Sequence, residues 1–199
     1  MGFAGKLALN SYNFWVRVSD KIFSLAVSGA FANFGRNSIV QRPVRISGAS
    51  RISIGEKVFI GAGGWLNALG DEKSIAPAIT IGNGTSMSGA CVISAMQLVT
   101  LEENVLLARN VYISDHIHKY AEAGTPVMAQ GVEKVQPVTI CRGAWLGQNV
   151  VVCPGVRIGR GAVVGANSVV NSNIPEYSLA VGSPARVVKK FSDADRPKS

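Results

Sequence analysis

Along most of this chain an aliphatic residue returns at every sixth position, followed by a small or polar one. The pairs are Ile54-Gly55 and Ile60-Gly61; Ile81-Gly82, Met87-Ser88 and Ile93-Ser94; Leu101-Glu102, Leu107-Ala108 and Ile113-Ser114; and Ile140-Cys141, Leu146-Gly147, Val152-Cys153, Ile158-Gly159, Val164-Gly165 and Val170-Asn171. Every lead is Ile, Leu, Val or Met, and the last block runs six hexads without a slip. The fourth residue after a lead is mostly small or β-branched: Val58, Thr85, Cys91, Val105, Val111, Ala144, Val150, Val156, Ala162 and Ser168.

One large and one smaller inward residue per hexad suit a short flat strand forming one side of a triangular prism. Three such strands make a coil of about 18 residues that cannot bury its own apolar positions, so coils must stack and pile their leads into one core. Glycine and asparagine fall where the corners should be, including Gly55, Asn83, Gly84, Asn104, Asn110, Gly143, Asn149, Gly155, Gly161 and Asn167, because positive φ is cheapest for those residues. The pattern predicts an all-β protein, a parallel β-helix over residues 36–185.

Two breaks in the period predict loops, one near residues 66–77 and a larger one over 115–137 that holds His116, His118, Pro126 and Pro137. Long loops on a rigid scaffold carry function disproportionately. Ahead of the repeats, residues 1–35 place Leu9, Tyr12, Trp15, Val16, Ile22, Phe23 and Ala26 at helical spacing, with Lys6, Arg17 and Lys21 for the remaining face. Two readings stand for this segment: a helix lying on an anionic membrane surface, or a helix capping the end of the main fold. Its uncharged stretch, Ile22 to Phe34, is too short to span a bilayer, and no cleavage site follows it closely. Residues 186–199 read as a basic helix or tail.

Composition narrows the function. The chain has 199 residues, 47% of them hydrophobic, and a formal net charge of +8. The positive excess sits at the two ends, and aromatics, at 7%, do not interleave with it as in a nucleic-acid groove; no nucleic-acid partner is expected. Three cysteines (Cys91, Cys141 and Cys153) cannot form a disulfide framework and suit a cytoplasmic protein. They occupy repeat positions, which favours core packing over nucleophilic catalysis.

The segments 52–61, 111–120, 143–147 and 174–190 resemble the hexapeptide-repeat acyltransferases, in particular their polysaccharide O-acetyltransferase branch. The resemblance implies a left-handed parallel β-helix with an N-terminal helical segment and a short C-terminal helix, assembled as a homotrimer with sites between subunits. It implies acetyl-CoA as co-substrate and a sugar hydroxyl as acceptor, on a glycan or lipid-linked sugar of a surface or exported polysaccharide, with peripheral membrane contact through the N-terminal helix as a further expectation. It makes His116 the general base, a role that neutral imidazole suits near pH 7, and gives Trp145, Gly147, Gln148, Gly165, Ala166, Arg186, Lys189 and Lys190 to the acyl-CoA. His118, Ser88, Ser94, Asn67 and Trp65 are the acceptor-side candidates. Asp115 is expected to face solvent, because neighbouring residues on an extended chain point apart.

A zinc site of the kind some relatives carry needs three histidines, and this chain has two, at i and i+2; no metal is expected. N-acetylation of an amino-sugar nucleotide is the competing activity, although no glycine-rich βαβ unit precedes Ile39. A non-catalytic β-helix protein is a further alternative.

Overall fold

A computed structural model describes residues 3–70 and 76–192. The hexads wind into a left-handed parallel β-helix with three sheets of six, eight and six strands. Register gives the coil length directly. In the C-terminal block Trp145 pairs with Val163 and Val151 with Val169, each eighteen residues on. Earlier coils are longer: Thr80 pairs with Thr100 twenty residues on, and Trp65 with Val92 twenty-seven residues on.

The leads stack as the period requires. Ile54, Ile60, Ile81, Met87, Ile93, Leu101, Leu107, Ile113, Ile140, Leu146, Val152, Ile158, Val164 and Val170 are all buried in one continuous core, joined by Leu66, which the period break assigns to the first loop. Corner residues Asn104, Asn110, Asn149 and Asn167 hold φ between 57° and 60°. Three of them also form a ladder: Asn110 Nδ2 donates to Asn149 Oδ1 at 3.1 Å, and Asn149 Nδ2 to Asn167 Oδ1 at 2.9 Å.

All the extra residues leave the prism at one corner, between the third sheet and the first. The 3₁₀ turn Ala49–Arg51, the segment after Ala68, residues 96–98 and the 115–137 loop lie there, coil above coil. The first of the two expected loops starts later than the period break suggested, because Trp65–Ala68 is a strand of the third sheet; residues 71–75 lie outside the described residues.

A helix, α1 (Phe3–Val27), precedes the first coil. Its last turns cap the coil: Asp20 and Ser24 are buried, the Val40 N–H donates to Ser24 Oγ at 2.9 Å, and Phe23 and Val27 pack on the core. At the other end the expected short helix is instead a strand, Ala185–Lys190, antiparallel to Ser178–Gly182. The Gly182–Pro184 turn between two β-prone runs closes a hairpin that covers the second sheet's open edge, where Leu179 pairs with Val163. This strand crosses the boundary expected at 185, and residues 193–199 of the expected tail lie outside the described residues.

Candidate active site

The outer side of the third sheet carries two columns of side chains, set by strand alternation. Trp65, Val92, Tyr112 and Val151 are in register in one column; Asn67, Ser94 and Ser114 are in register in the other. Asn67 Nδ2 donates to Ser94 Oγ at 3.2 Å. Where this polar column reaches the long loop, the chain turns out through Asp115 and His116, and a small hairpin pairs Ile117–His118 with Val132–Glu133. Sheet and hairpin enclose a cavity of about 500 Å³ lined by Trp65, Asn67, Ser94, Tyr112, Ser114, His116, His118, Val132 and Cys153, among others.

Asp115 is fully buried, against the expectation that it faces solvent. Alternation failed because the strand ends at Ser114, and the side chain turns back under the loop. There the carboxylate accepts the N–H groups of Met96 at 2.9 Å, Gln97 at 2.7 Å and Leu98 at 2.8 Å. Those donors exist because the turn from Ile93 to Leu101 spans eight residues where a plain hexad has six. That spacing was the signal in the sequence for a polar group docked on this corner.

The remaining donor to Asp115 is the imidazole. His116 Nδ1 lies 2.8 Å from Asp115 Oδ1. A carboxylate can only accept, so Nδ1 carries a proton toward Asp115, and in the neutral ring Nε2 is the acceptor. Ser114 Oγ donates to the His116 carbonyl at 2.8 Å and fixes the backbone beneath the ring. His116 is nearly buried in the cavity wall, whereas His118 is exposed at the cavity mouth.

Other expected residues fall in two places. Trp65, Asn67 and Ser94 join His116 in the cavity; Arg45 stacks its guanidinium 4.5 Å from the Trp65 ring, and Trp65 Nε1 is buried with no hydrogen-bond partner among the described residues. Ser88 is exposed beyond the second sheet and does not line the cavity. Trp145, Gly147, Gln148, Gly165 and Ala166 also belong to the second sheet and its corners, and Arg186, Lys189 and Lys190 to the terminal hairpin. Trp145 is about half exposed. The Gly147 N–H donates to the Val164 carbonyl at 2.8 Å, and a Cβ on Gly147 would stand 2.7 Å from the Ala166 nitrogen, so the coils stack too closely there for a side chain. Sequence reasoning passed over Tyr112, Ser114 and Val132, whose place in the wall follows from register and from the hairpin. Cys153 lines the cavity, and burial raises its thiol pKa above the ordinary value, as it does for Cys91 and Cys141.

Comparison with known proteins agrees with the repeat. A family model, bacterial transferase hexapeptide (six repeats), matches residues 137–172. The putative lipopolysaccharide biosynthesis O-acetyl transferase WbbJ of Escherichia coli K12 is 33% identical over 166 residues, 80% of this chain and 82% of that protein. Among solved structures, a hexapeptide-repeat-containing acetyltransferase of Vibrio cholerae complexed with acetyl coenzyme A superposes with a TM-score of 0.63 at 24% identity, covering 96% of this chain and 92% of its own. The N-acyltransferase AntD of Bacillus cereus, in complex with dTDP and coenzyme A, superposes with a TM-score of 0.72 at 19% identity, covering 85% and 89%. The two superpositions show a shared fold; the identity to the Escherichia coli protein, held over four fifths of both chains, shows more, and the chain belongs to the bacterial hexapeptide-repeat transferase family.

Proposed function

We propose that the protein transfers an acetyl group from acetyl-CoA directly to a sugar hydroxyl of a surface or exported polysaccharide, with His116 as general base. The observation that carries this reading is the Asp115–His116 pair in the wall of a cavity whose polar column, Asn67, Ser94 and Ser114, can hydrogen-bond a hydroxylated acceptor. With Nδ1–H held by Asp115, Nε2 takes the hydroxyl proton as the oxygen attacks the thioester carbonyl carbon. Collapse of the tetrahedral intermediate breaks the C–S bond, and the imidazolium returns the proton to the leaving thiolate. Holding the proton-transfer group in place contributes about 10² to 10⁴ in rate.

An oxyanion forms on attack and calls for an N–H donor. The Gly147 N–H is already committed within the coil ladder, which leaves that role to Gln148 N–H. The cavity and the Trp145–Ala166 group lie on different faces of one prism, so a single chain does not bring them together. A homotrimer, with the cavity face of one subunit against the second face of its neighbour, joins them around one acyl-CoA. Ala166 then lies along the pantetheine arm, and Arg186, Lys189 and Lys190 meet the phosphates.

The test supplies acetyl-CoA and de-esterified host surface polysaccharide, and reads release of free thiol together with new ester. The expected result is ester formation that His116→Ala lowers by about 10² or more, with the fold and oligomeric state retained. Full activity in a correctly assembled His116→Ala variant removes the mechanism. Amide formation on an amino-sugar nucleotide, without ester on glycan, replaces the acceptor.

A further inference from the structure

Helix α1 divides into a docked end and a free one. Only its last two turns touch the β-helix, through Asp20, Phe23, Ser24 and Val27. The side turned away from the coils carries an apolar stripe of its own: Leu7, Phe14, Trp15, Ile22 and Leu25 are each more than half exposed, and Leu9 and Tyr12, on the docked side but ahead of the docked turns, are exposed as well. Leu7 and Phe14, and Trp15 and Ile22, are seven residues apart and Leu25 follows three later, which keeps all five on one stripe of the helix. At 1.5 Å per residue the helix is roughly 37 Å long, and most of that length has no protein to lie against among the described residues. Soluble proteins rarely leave so long an apolar stripe uncovered unless it binds something.

Charge identifies what it binds. Lys6, Arg17 and Lys21 recur at eleven and four residues, along one flank of the stripe, and all three are exposed. The single acid of the helix, Asp20, is buried and accepts from the Arg42 backbone N–H at 3.3 Å and from Arg42 Nε at 3.4 Å, so the solvent-facing charge of α1 is wholly positive. A second copy of α1 would offer this flank only its own positive charge. A sheet of acyl chains beneath anionic headgroups matches both stripe and flank.

We propose that α1 is a membrane-surface anchor that lays Leu7, Phe14, Trp15, Ile22 and Leu25 into the headgroup boundary of an anionic bilayer. No helix among the described residues is long and apolar enough to cross a membrane, so the association is peripheral and reversible. It is independent of the catalytic reading and can fail or hold by itself.

The test floats the full-length protein with vesicles of phosphatidylcholine alone and with vesicles that also contain phosphatidylglycerol. Binding is expected to the second kind and to weaken with added salt. Neutralising Lys6, Arg17 and Lys21 together to Gln should lower the partition coefficient on the order of a hundredfold, at about fivefold per charge. Phe14→Gln with Trp15→Gln should lower it at least tenfold. Neither variant touches the core, so acetyl-CoA turnover on soluble acceptor and the melting temperature stay at wild-type values. Vesicles should shift tryptophan emission to the blue in the wild type and not in Trp15→Phe, which keeps Trp65 and Trp145. Equal binding to both vesicle types, or binding that ignores the substitutions, overturns the proposal. So does concentration-dependent self-association that the Phe14 and Trp15 changes abolish while vesicles bind nothing, since the stripe then pairs copies of the chain.

Discussion

The coils between Ile140 and Asn171 and the corner at Ser114–His116 bury their side chains to nearly the same depth by opposite chemistry. In the first region Ile140, Leu146, Val152, Ile158, Val164 and Val170 are inaccessible, and each needs only an apolar neighbour in the coils above and below. In the second, Asp115 is fully buried and His116 almost so, and burying such groups is costly unless every polar atom finds a partner. Three N–H groups from a lengthened turn and one from the imidazole meet the Asp115 carboxylate. The repeat thus supplies a stiff frame at low specificity, and the corner supplies one polar constellation whose geometry depends on the coil below it.

Disturbing the frame should have the largest effect, and on stability. Leu146 lies between Leu107 and Val164 in the middle of the second sheet. Leu146→Ala removes most of a buried side chain from a stack with little freedom to collapse, and should cost about 2 to 5 kcal/mol, read as a lower midpoint of chemical denaturation. Activity below the transition should change less than stability, because the Leu146 side chain lies inside the core, although its strand also carries Trp145 and leads to Gln148. A loss of activity without a loss of stability would show that the two regions are not separable in this way.

Disturbing the corner should act on turnover first. In Asp115→Asn the amide oxygen can replace one carboxylate oxygen, but the NH₂ then faces either backbone N–H groups or the imidazole N–H, and a donor meets a donor. Leaving those buried donors unsatisfied should cost about 1 to 3 kcal/mol of stability. With Nδ1–H no longer held, Nε2 is no longer fixed as the acceptor, and kcat should fall roughly tenfold, less than the loss expected when the base itself is removed. Asp115 acts through His116, so KM for acetyl-CoA should stay within about twofold while kcat per folded molecule falls, whereas a purely structural role would lower the apparent kcat only in proportion to the folded fraction.

The same contrast explains what was legible in the sequence. A hexad is a local backbone requirement, and the leads from Ile54 to Val170 could be assigned because each has the same surroundings as the last. Asn67, Ser94 and Trp65 could be named as acceptor-side candidates, but that they share one outer face follows from the register of the third sheet. Alternation misplaced Asp115, because it holds only within a strand, and it had no bearing on Tyr112 or Val132, which meet in the cavity through register and a hairpin fold-back. The Ala185–Lys190 strand was missed because its basic run outweighed the Gly-Ser-Pro turn before it, although that turn is the hairpin signal. For α1, the period gave the helix and the two possible uses of its faces, but which face meets the coil depends on Asp20 and Ser24 finding partners near residues 40–42.

The smallest effect expected is at Cys153, the place where frame and site overlap. It directly follows the lead Val152, so the repeat turns its thiol outward, into the cavity that holds His116. An acyl-enzyme route would need it as a thiolate, since the thiolate is the nucleophilic form. Burial pushes the thiol pKa upward, with no offsetting cause, so near neutral pH the side chain is a neutral thiol that fills space. Cys153→Ala should therefore keep kcat within about twofold, and rapid mixing with acetyl-CoA alone should give no burst of free thiol product, because direct transfer forms no covalent intermediate. The cavity the substitution leaves opens onto solvent, so its stability cost should fall below the range for core truncations such as Leu146→Ala. A burst in the wild type that Cys153→Ala abolishes would move the nucleophile from the acceptor sugar to the protein, and would leave His116 to activate a thiol in place of a hydroxyl.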